Sequence, residues 1–358
     1  MEVRAVDREV YEEEILPWLP PKIIDIHAHV ALAEHLGPMT EERRRSNWAI
    51  EAGLAQSWEE LRSNLSALFP WRDALRQAQD APLREWPEVD VLAFGVPFRE
   101  TDFETNNSYV LKGASDPRNR ARALLLTRPE WEPSVIEEAM GRGFIGIKPY
   151  PDLAPASDGE PGIFDFLPHS HLDALNRLGG ILMLHLPRKG RLADPDNIRE
   201  LSEISRRCPN IRIIVAHIGR SFCLPTAQRG LPSFADEPGV FFDISAVMNA
   251  DVLAYAIETV GPERLLYGSD LPITLIRGYR EHVGETYINY TDGPFSWNTD
   301  RKPPEVEAKY TYYLYEELRA LIAALKRLGL GTETMEKVMY LNAAGLLEGR
   351  ESLWPAWP

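Results

Sequence analysis

Short apolar runs alternate with longer amphipathic segments along most of this chain. Eight runs are apparent: KIIDIHAH, VDVLAFGV, RALLLT, GFIGIK, GILMLH, IRIIVAH, GVFFDIS and RLLYGSD. The segments between later runs, such as 132–143, 166–180, 197–210 and 250–262, carry apolar residues at helical spacing and end in Gly, Asn or Pro. Eight strands alternating with helices predict an α/β fold, specifically a (β/α)₈ TIM-like barrel.

Two stretches depart from this repeat. Residues 31–88 are too long for one strand-to-helix connection, and the patterns at 41–53 and 57–69 predict a helical insertion after strand 1. That insertion could form a lid or a contact between two copies of the chain. Residues 273–304 predict a long polar loop after strand 8. We therefore expect a single barrel domain over 1–358 that carries both additions.

Charge and composition limit the classes of partner that this chain is expected to bind. The formal net charge is −15 and the pI is about 5.1, which argues against nucleic-acid binding because phosphates need a basic surface. No apolar run approaches the length of a membrane span, so we expect a cytoplasmic protein with a small-molecule substrate. The two cysteines, Cys208 and Cys223, lack metal-ligand spacing and are predicted to be reduced and structural. A homodimer is plausible, and only the 31–88 insertion supports it.

Polar residues at the ends of the runs carry the candidate chemistry. They are His27 and His29 in run one, Lys148 in run four, His185 in run five, His217 in run six and Asp270 in run eight. Alternate residues of a strand point to the same face, so the first two imidazoles should emerge together. In a barrel of this type the active site lies at the C-terminal ends of the strands, so we expect all six groups to meet at one mouth.

These residue types suit a catalytic metal site. Imidazole and carboxylate ligands favour a borderline ion such as Zn²⁺ with an open position for water, and His27, His29, His185 and Asp270 would supply that set. Such an ion lowers the pKa of its water from about 15.7 to about 7. Asp270 is placed to accept the proton of that water, and His217 to polarise or orient the electrophile.

The succession DIHAH, GIK, LHLP, VAHIG, YGSDLP and LNAAGLLE resembles the amidohydrolase superfamily, in particular its amidohydrolase-related branch. The resemblance extends from about residue 22 to 349 and omits both additions. It implies a distorted barrel, metal-dependent hydrolase, lactonase or nonoxidative decarboxylase activity, and the ligand set above. In binuclear members of the superfamily a fourth-strand lysine is carboxylated and bridges two metals. Because GFIGIKPYP resembles the amidohydrolase-related branch most, the resemblance implies one Zn²⁺ and an unmodified Lys148 that serves the substrate, with two ions if Lys148 is carboxylated.

Three arginines and a tyrosine near the ends of these runs are candidates for substrate binding. Arg128, Arg188 and Arg220 follow the ends of runs three, five and six, and Tyr150 follows Lys148, so they are predicted to bind a carboxylate-bearing substrate. The arginines could equally pair with this chain's own acidic residues.

The remaining histidines serve as a comparison. His169 and His171 have the same spacing as the first pair, but no apolar run precedes them, so we expect surface residues. His35 and His282 lie in the two additions, where surface or lid positions are expected.

Three functions compete. The leading one is a metal-dependent hydrolase that uses metal-activated water on an amide, lactone or ester-like bond of a small, carboxylate-bearing molecule. The second is a nonoxidative metal-dependent decarboxylase of an aromatic or muconate-like acid. The third is a barrel without activity that binds a ligand or partner, which the filled metal and catalytic positions argue against.

Overall fold

The computed structural model describes residues 2–53, 55–70, 88–155, 159–298 and 300–348. In the described residues, nine short parallel strands follow the eight predicted runs, and they pair in chain order within two sheets, one of three strands and one of six. They are β1 (Lys22–His29), β2 (Glu88–Phe94), β3 (Ala121–Ala123), β4 (Leu125–Leu126), β5 (Gly146–Lys148), β6 (Ile181–Leu184), β7 (Arg212–Val215), β8 (Val240–Asp243) and β9 (Leu265–Leu266). β3 and β4 are two halves of the third barrel strand, interrupted at Leu124.

The first and last strands meet and close the barrel. The backbone N–H of Ile26 donates to the carbonyl of Tyr267 over 3.1 Å, and that of His29 donates to Leu271 over 2.9 Å. The buried carboxylate of Asp25 accepts hydrogen bonds from the backbone N–H and the hydroxyl of Ser269 at 2.8 and 2.6 Å. The predicted (β/α)₈ architecture is confirmed.

Helices surround the strands and also form part of the insertion after β1. They are Ala5–Val10, Glu41–Arg45, Trp48–Ala52, Trp58–Leu68, Phe103–Ala114, Pro133–Gly141, Ile163–Phe166, His169–Leu178, Pro195–Arg207, Leu224–Gly230, Ala250–Val260, Pro304–Glu307, Tyr313–Arg327, Thr332–Glu336 and Asn342–Glu348. Their ends follow ordinary capping rules: Asp194 accepts from two backbone N–H groups of helix Pro195–Arg207, and the carboxylate of Glu60 completes a capping box with Ser57. The four helical patterns predicted between the later runs are all present.

The insertion after β1 is helical, as predicted, in the part that the structure describes. Helices Glu41–Arg45, Trp48–Ala52 and Trp58–Leu68 lie there, whereas residues 71–87 of the predicted 31–88 insertion fall outside the described residues. No helix within the described ranges is both long and apolar enough to cross a membrane.

The segment 273–304 is not the simple loop that its polarity suggests. An antiparallel hairpin, β10 (Gly278–Val283) and β11 (Thr286–Thr291), occupies its first half. Gly284 opens the two-residue turn with a φ of +60°, a backbone angle that suits glycine in hairpin turns. The polar alternation of GYREHVGETYINYT is therefore a strand pattern, which the abundance of Tyr, Asn and Gly obscured.

Two histidines predicted at the surface are buried. His171 is fully buried, with Nε2 2.7 Å from the carbonyl oxygen of Trp131, because its helix turns this side toward the neighbouring helix. His35 is buried as well, and its Nδ1 accepts a hydrogen bond from the backbone N–H of Leu32 over 3.0 Å. His35 is a structural histidine with partners on its ring, whereas Nδ1 of His171 is buried without a hydrogen-bond partner among the described residues. The two cysteines are free and buried, as expected.

Candidate active site

His27 and His29 end β1 side by side, and each has one ring nitrogen fixed by the scaffold. Nδ1 of His27 lies 2.7 Å from Oδ2 of Asp243, and Nδ1 of His29 lies 2.9 Å from the carbonyl oxygen of Gly95. A carboxylate and a carbonyl both accept hydrogen bonds, so Nδ1 carries the proton in each ring. The Nε2 lone pairs are consequently left for a ligand, which is how metal-binding histidines are commonly oriented.

Asp270 faces both of these free nitrogens. Its Oδ1 lies 3.5 Å from Nε2 of His27 and 3.3 Å from Nε2 of His29, and the backbone of Asp270 adopts a φ of +55°. Burial opposes ionisation of this carboxyl, but the contact with His29 and the nearby imidazoles of His27 and His217 outweigh it and lower the pKa of Asp270 to about 2. The group is therefore a carboxylate at neutral pH.

The three residues present one compact set of metal ligand atoms. The ligand atoms of His27, His29 and Asp270 all lie within 4.8 Å of one another. Burial, followed by the nearby Lys148 ammonium, lowers the pKa of His27 to about 4, so the ring is neutral and keeps its lone pair. Neutral imidazoles with a carboxylate form a donor set that suits Zn²⁺ and similar ions.

His185 and Lys148 lie in the same cavity but outside this compact set. Within the described residues, Nδ1 of His185 and Nζ of Lys148 are buried without a hydrogen-bond partner. Burial lowers the pKa of Lys148 to about 8 and, with Arg220 as the next cause, lowers that of His185 well below its ordinary value. Buried polar atoms without partners are costly, so both point to a missing ligand or substrate. The donor set thus fits a divalent metal.

His217 stands beside this group, at the start of an unusual backbone turn. Its Nδ1 lies 3.0 Å from the carbonyl oxygen of Ser245, so Nδ1 donates and Nε2 is left for the cavity that His217 lines. The four residues from His217 to Arg220 all have positive φ, between 49° and 62°. Consecutive left-handed residues are costly, and such strain commonly marks functional sites.

Asp243 ends the seventh run and connects the two histidines, a role that sequence reasoning missed. Its Oδ2 accepts from His27, and its Oδ1 accepts from the backbone N–H of His217 over 3.0 Å. Burial opposes ionisation, but the two imidazoles hold the pKa of Asp243 well below its usual range. Ligand atoms of His27, His217 and Asp243 also lie within 4.8 Å of one another. Because hydrogen bonds already join them, we assign Asp243 an orienting role behind the ligands.

A cavity of about 380 Å³ opens over these groups. Its wall includes His27, His29, Lys148, Tyr150, His185, His217, Arg220 and Asp270 from the predicted set. It also includes Ser46, Asn47 and Ala49 from the insertion, and Arg280, Tyr287, Asn289 and Trp297 from the segment after strand 8. Sequence reasoning missed these, since only the length of the two additions marked them as functional.

Two of the predicted substrate arginines are engaged by the protein itself. The guanidinium of Arg188 bonds to Glu200 and Asn197 at 3.0 and 2.9 Å. Arg128 donates to the carbonyl of Thr101 over 2.9 Å and lies over the ring of Phe103. Arg188 therefore pairs with an acidic residue of this chain, whereas Arg128 contacts a backbone carbonyl and an aromatic ring. Neither is among the residues that line the cavity.

The insertion contributes to the cavity wall, and contacts on both of its sides hold its first two helices in place. Arg43 donates to Glu100 over 2.8 and 3.1 Å and also bonds to Asp152. On the other side, the carboxylate of Glu51 accepts from the backbone N–H and hydroxyl of Ser296 at 2.8 and 2.6 Å. The helices that carry Arg43 and Glu51 therefore lie against the segments that follow β2, β5 and the β10–β11 hairpin.

Comparisons with known proteins identify the family and agree with the barrel fold. The amidohydrolase family model Amidohydro_2 matches residues 24–348. Among curated proteins, no match was found. A solved structure of a probable 2-pyrone-4,6-dicarboxylic acid hydrolase from Acinetobacter baumannii, with citric acid bound, has a TM-score of 0.53 and 16% identity, and the alignment covers 91% of this chain and 98% of that one.

Two further structures share the fold. A 5-carboxyvanillate decarboxylase from Novosphingobium aromaticivorans, with manganese and a nitrobenzoic acid derivative, has a TM-score of 0.53 and 13% identity over 91% of this chain and 96% of that one. An amidohydrolase from Burkholderia multivorans with bound zinc has a TM-score of 0.54 and 13% identity over 90% and 98%. At these identities the likeness establishes the barrel, and both hydrolases and decarboxylases occur among the similar structures.

Proposed function

Because the chain belongs to the amidohydrolase family, we propose that it is a metal-dependent hydrolase of a small, carboxylate-bearing molecule with an amide, lactone or ester-like bond. The observation that carries this proposal is the position of Asp270: an ionised carboxylate at the rim of the ligand set, facing Nε2 of both His27 and His29. A carboxylate there can accept a proton from water and return it to a leaving atom.

The proposed metal is one Zn²⁺, held by His27, His29 and Asp270 with His185 completing the set. When bound, such an ion polarises a carbonyl and acidifies a water molecule. Lys148 is proposed to act unmodified: its ammonium lies over the ring of Phe94, 4.7 Å from the centroid, and is free to attract a substrate carboxylate. A carbamate at Lys148 bridging two ions remains the alternative.

The chain's own residues supply the proton chemistry. Asp270 takes the proton of the attacking water and delivers it to the leaving oxygen or nitrogen. His217 has Nδ1 fixed by the carbonyl of Ser245 and presents Nε2 to the cavity, where it orients the substrate. Arg220 and Tyr150, which line the cavity near His185, are proposed to bind a carboxylate of the substrate.

The test combines metal content with product analysis. Protein purified without chelators is analysed for metal and then assayed on lactones, amides and esters that carry a carboxylate, with hydrolysis products and carbon dioxide measured in parallel. We expect hydrolysis without carbon dioxide. Release of carbon dioxide from an aromatic or muconate-like acid would instead identify a decarboxylase, and absence of bound metal with no uptake would contradict both enzymes.

The Asp270→Asn variant tests the assigned role. General acid–base catalysis commonly contributes about 10²- to 10⁴-fold, so we expect turnover to fall by that factor while much of the metal stays bound. Asp173→Asn is the matched control, because Asp173 pairs with Arg207 at the surface and contacts none of these ligands. Near-normal turnover in Asp270→Asn would remove this residue from the mechanism.

The remaining assignments concern the oligomeric state, the cellular location and the partner. A homodimer and a cytoplasmic location stay predictions, and a small molecule is the proposed partner. Light scattering on the purified protein measures the first, and fractionation of the source cells measures the second.

A further inference from the structure

Arg280 is a buried cation in the wall of the cavity, and it comes from the hairpin after strand 8. Its side chain is 7% exposed. Nη1 donates to the carbonyl of Ala246 over 2.8 Å, and Nε donates to Oδ1 of Asn289 over 2.9 Å. Both acceptors are neutral. Among the residues that the structure describes, no aspartate or glutamate forms an ion pair with Arg280.

Aromatic rings surround this guanidinium instead of carboxylates. It lies 4.4 Å from the ring centroid of Tyr287 and 4.6 Å from that of Phe222. Arg191 lies over the same two rings at 5.5 and 5.4 Å, so a second positive charge is close. Burial lowers the pKa of Arg280, with Arg191 as a further cause in the same direction. The charged form is therefore destabilised here until an anion joins it.

Arg220 also lies in the cavity wall, and its carbonyl accepts a hydrogen bond from Nη1 of Arg191 over 3.3 Å. It is close enough to His185 to lower the pKa of that imidazole, and its Nη1 donates to the carbonyl of Leu186 over 3.2 Å. The surroundings of Arg280 are the aromatic rings and the hairpin residue Asn289. The cavity wall thus contains Lys148 and Arg220 near the metal ligands, and Arg280 at what we call the hairpin end, formed by Arg280, Tyr287 and Asn289.

We propose that Arg280 is a specificity-determining residue that binds a second carboxylate of the substrate at the hairpin end, so that planar dicarboxylates are selected over monocarboxylates. The aromatic rings beside Arg280 would pack on the body of the substrate. A guanidinium bonds a carboxylate through two parallel N–H groups, and such charge-assisted bonds are the strong ones. This inference rests on the proposed function only for the idea that the first carboxylate lies near the metal ligands.

Calorimetric binding to the zinc-loaded protein tests the inference without requiring turnover. The probes are isophthalate and terephthalate, compared with benzoate. A hydrogen bond to a charged group contributes about 1.5–3 kcal/mol, so wild-type protein should bind the better dicarboxylate at least about tenfold more tightly than benzoate. In Arg280→Gln, which keeps an amide N–H for Ala246 but removes the charge, the preference should fall to about twofold or less.

Two further variants make the result specific. Arg280→Lys retains the charge, and we expect it to keep most of the preference; it also serves if Arg280→Gln does not fold. Arg207→Met removes an exposed arginine that pairs with Asp173 at the surface, and it should leave the preference unchanged. A wild-type protein without preference for either dicarboxylate would overturn the inference, as would an unchanged preference in Arg280→Gln. Failure of hydrolysis alone would affect the proposed function and not this assignment.

Discussion

Asp243 holds His27 through a 2.7 Å hydrogen bond to Nδ1 and thereby fixes which nitrogen of that ring faces Asp270. The same carboxylate accepts the backbone N–H of His217 through its other oxygen. One buried group therefore orients a candidate metal ligand and a candidate catalytic histidine together.

Replacing Asp243 by Asn should weaken metal binding. An amide has one oxygen where the carboxylate has two, so either His27 or the backbone of His217 faces an N–H group in the variant. Loss of such an orienting partner typically costs about 10- to 100-fold in metal affinity. Competition with a chromophoric zinc chelator measures the change, with Asp173→Asn as a surface control. An affinity equal to that of the wild-type protein would contradict the orienting role.

Replacing Arg43 by Ala should loosen the insertion over the cavity. Arg43 bonds to Glu100 and Asp152, whereas Arg45 on the same helix pairs only with the exposed Glu41. We expect faster hydrogen exchange over residues 41–52, by roughly fivefold for about 1 kcal/mol of lost stabilisation. Arg45→Ala is the matched control and should leave exchange nearly unchanged. Equal exchange in the two variants would show that the Arg43 contacts do not hold the insertion in place.

Replacing Gly219 by Ala should destabilise the left-handed turn that carries His217. Gly219 has a φ of +61°, and a Cβ atom there would lie 2.8 Å from Cβ of Leu192. Gly329 has a similar φ of +68°, but a Cβ added to it meets nothing within 4 Å. Backbone strain alone costs about 1–2 kcal/mol in both variants, and crowding adds about 1–3 kcal/mol in Gly219→Ala only. Urea unfolding measures the difference; equal losses would exclude the crowding.

Acid should destabilise the protein partly through His282 on the hairpin. Burial and the nearby Arg280 lower the pKa of His282 to about 4, whereas an unfolded histidine titrates near its ordinary value of about 6.5. Between these values the unfolded chain binds more protons, so this group's stabilisation is complete above about pH 6.5 and is lost as the pH falls toward 4. The full shift corresponds to about 3 kcal/mol, and partial exposure reduces this to about half.

The His282→Gln variant isolates that contribution. Urea unfolding at pH 7 and pH 5 gives the change in the free energy of unfolding for both proteins. We expect the loss on acidification to be smaller in the variant by about 1 kcal/mol. An identical loss would mean that His282 titrates alike in the folded and unfolded chains.

The barrel and the positions of its strand-end residues could be predicted because both depend on local repetition. Each of His27, His29, His185, His217 and Asp270 follows an apolar run, and parallel strands bring such ends to one mouth whatever the helices between them contain. Asp243 obeys the same rule in GVFFDIS, but a lone aspartate after a strand carries no spacing signal of its own.

Contacts between distant segments could not be predicted in this way. Arg188 pairs with Glu200 twelve positions later, and only the folded chain shows that these two residues meet. Arg280 lies in a polar stretch whose hairpin brings it into the cavity. His171 is buried because a neighbouring helix packs on it, which the pattern within its own helix did not reveal.

The bond between Glu51 and Ser296 joins two segments that are 245 positions apart in sequence. One belongs to the insertion after the first strand and the other to the addition after the last, and both contribute to the cavity wall. The two additions thus form a single wall across the barrel mouth. A chimera that exchanged only one of these additions with another barrel would lose the contact between them. Substrate selectivity should therefore be transferred only when both additions are exchanged together.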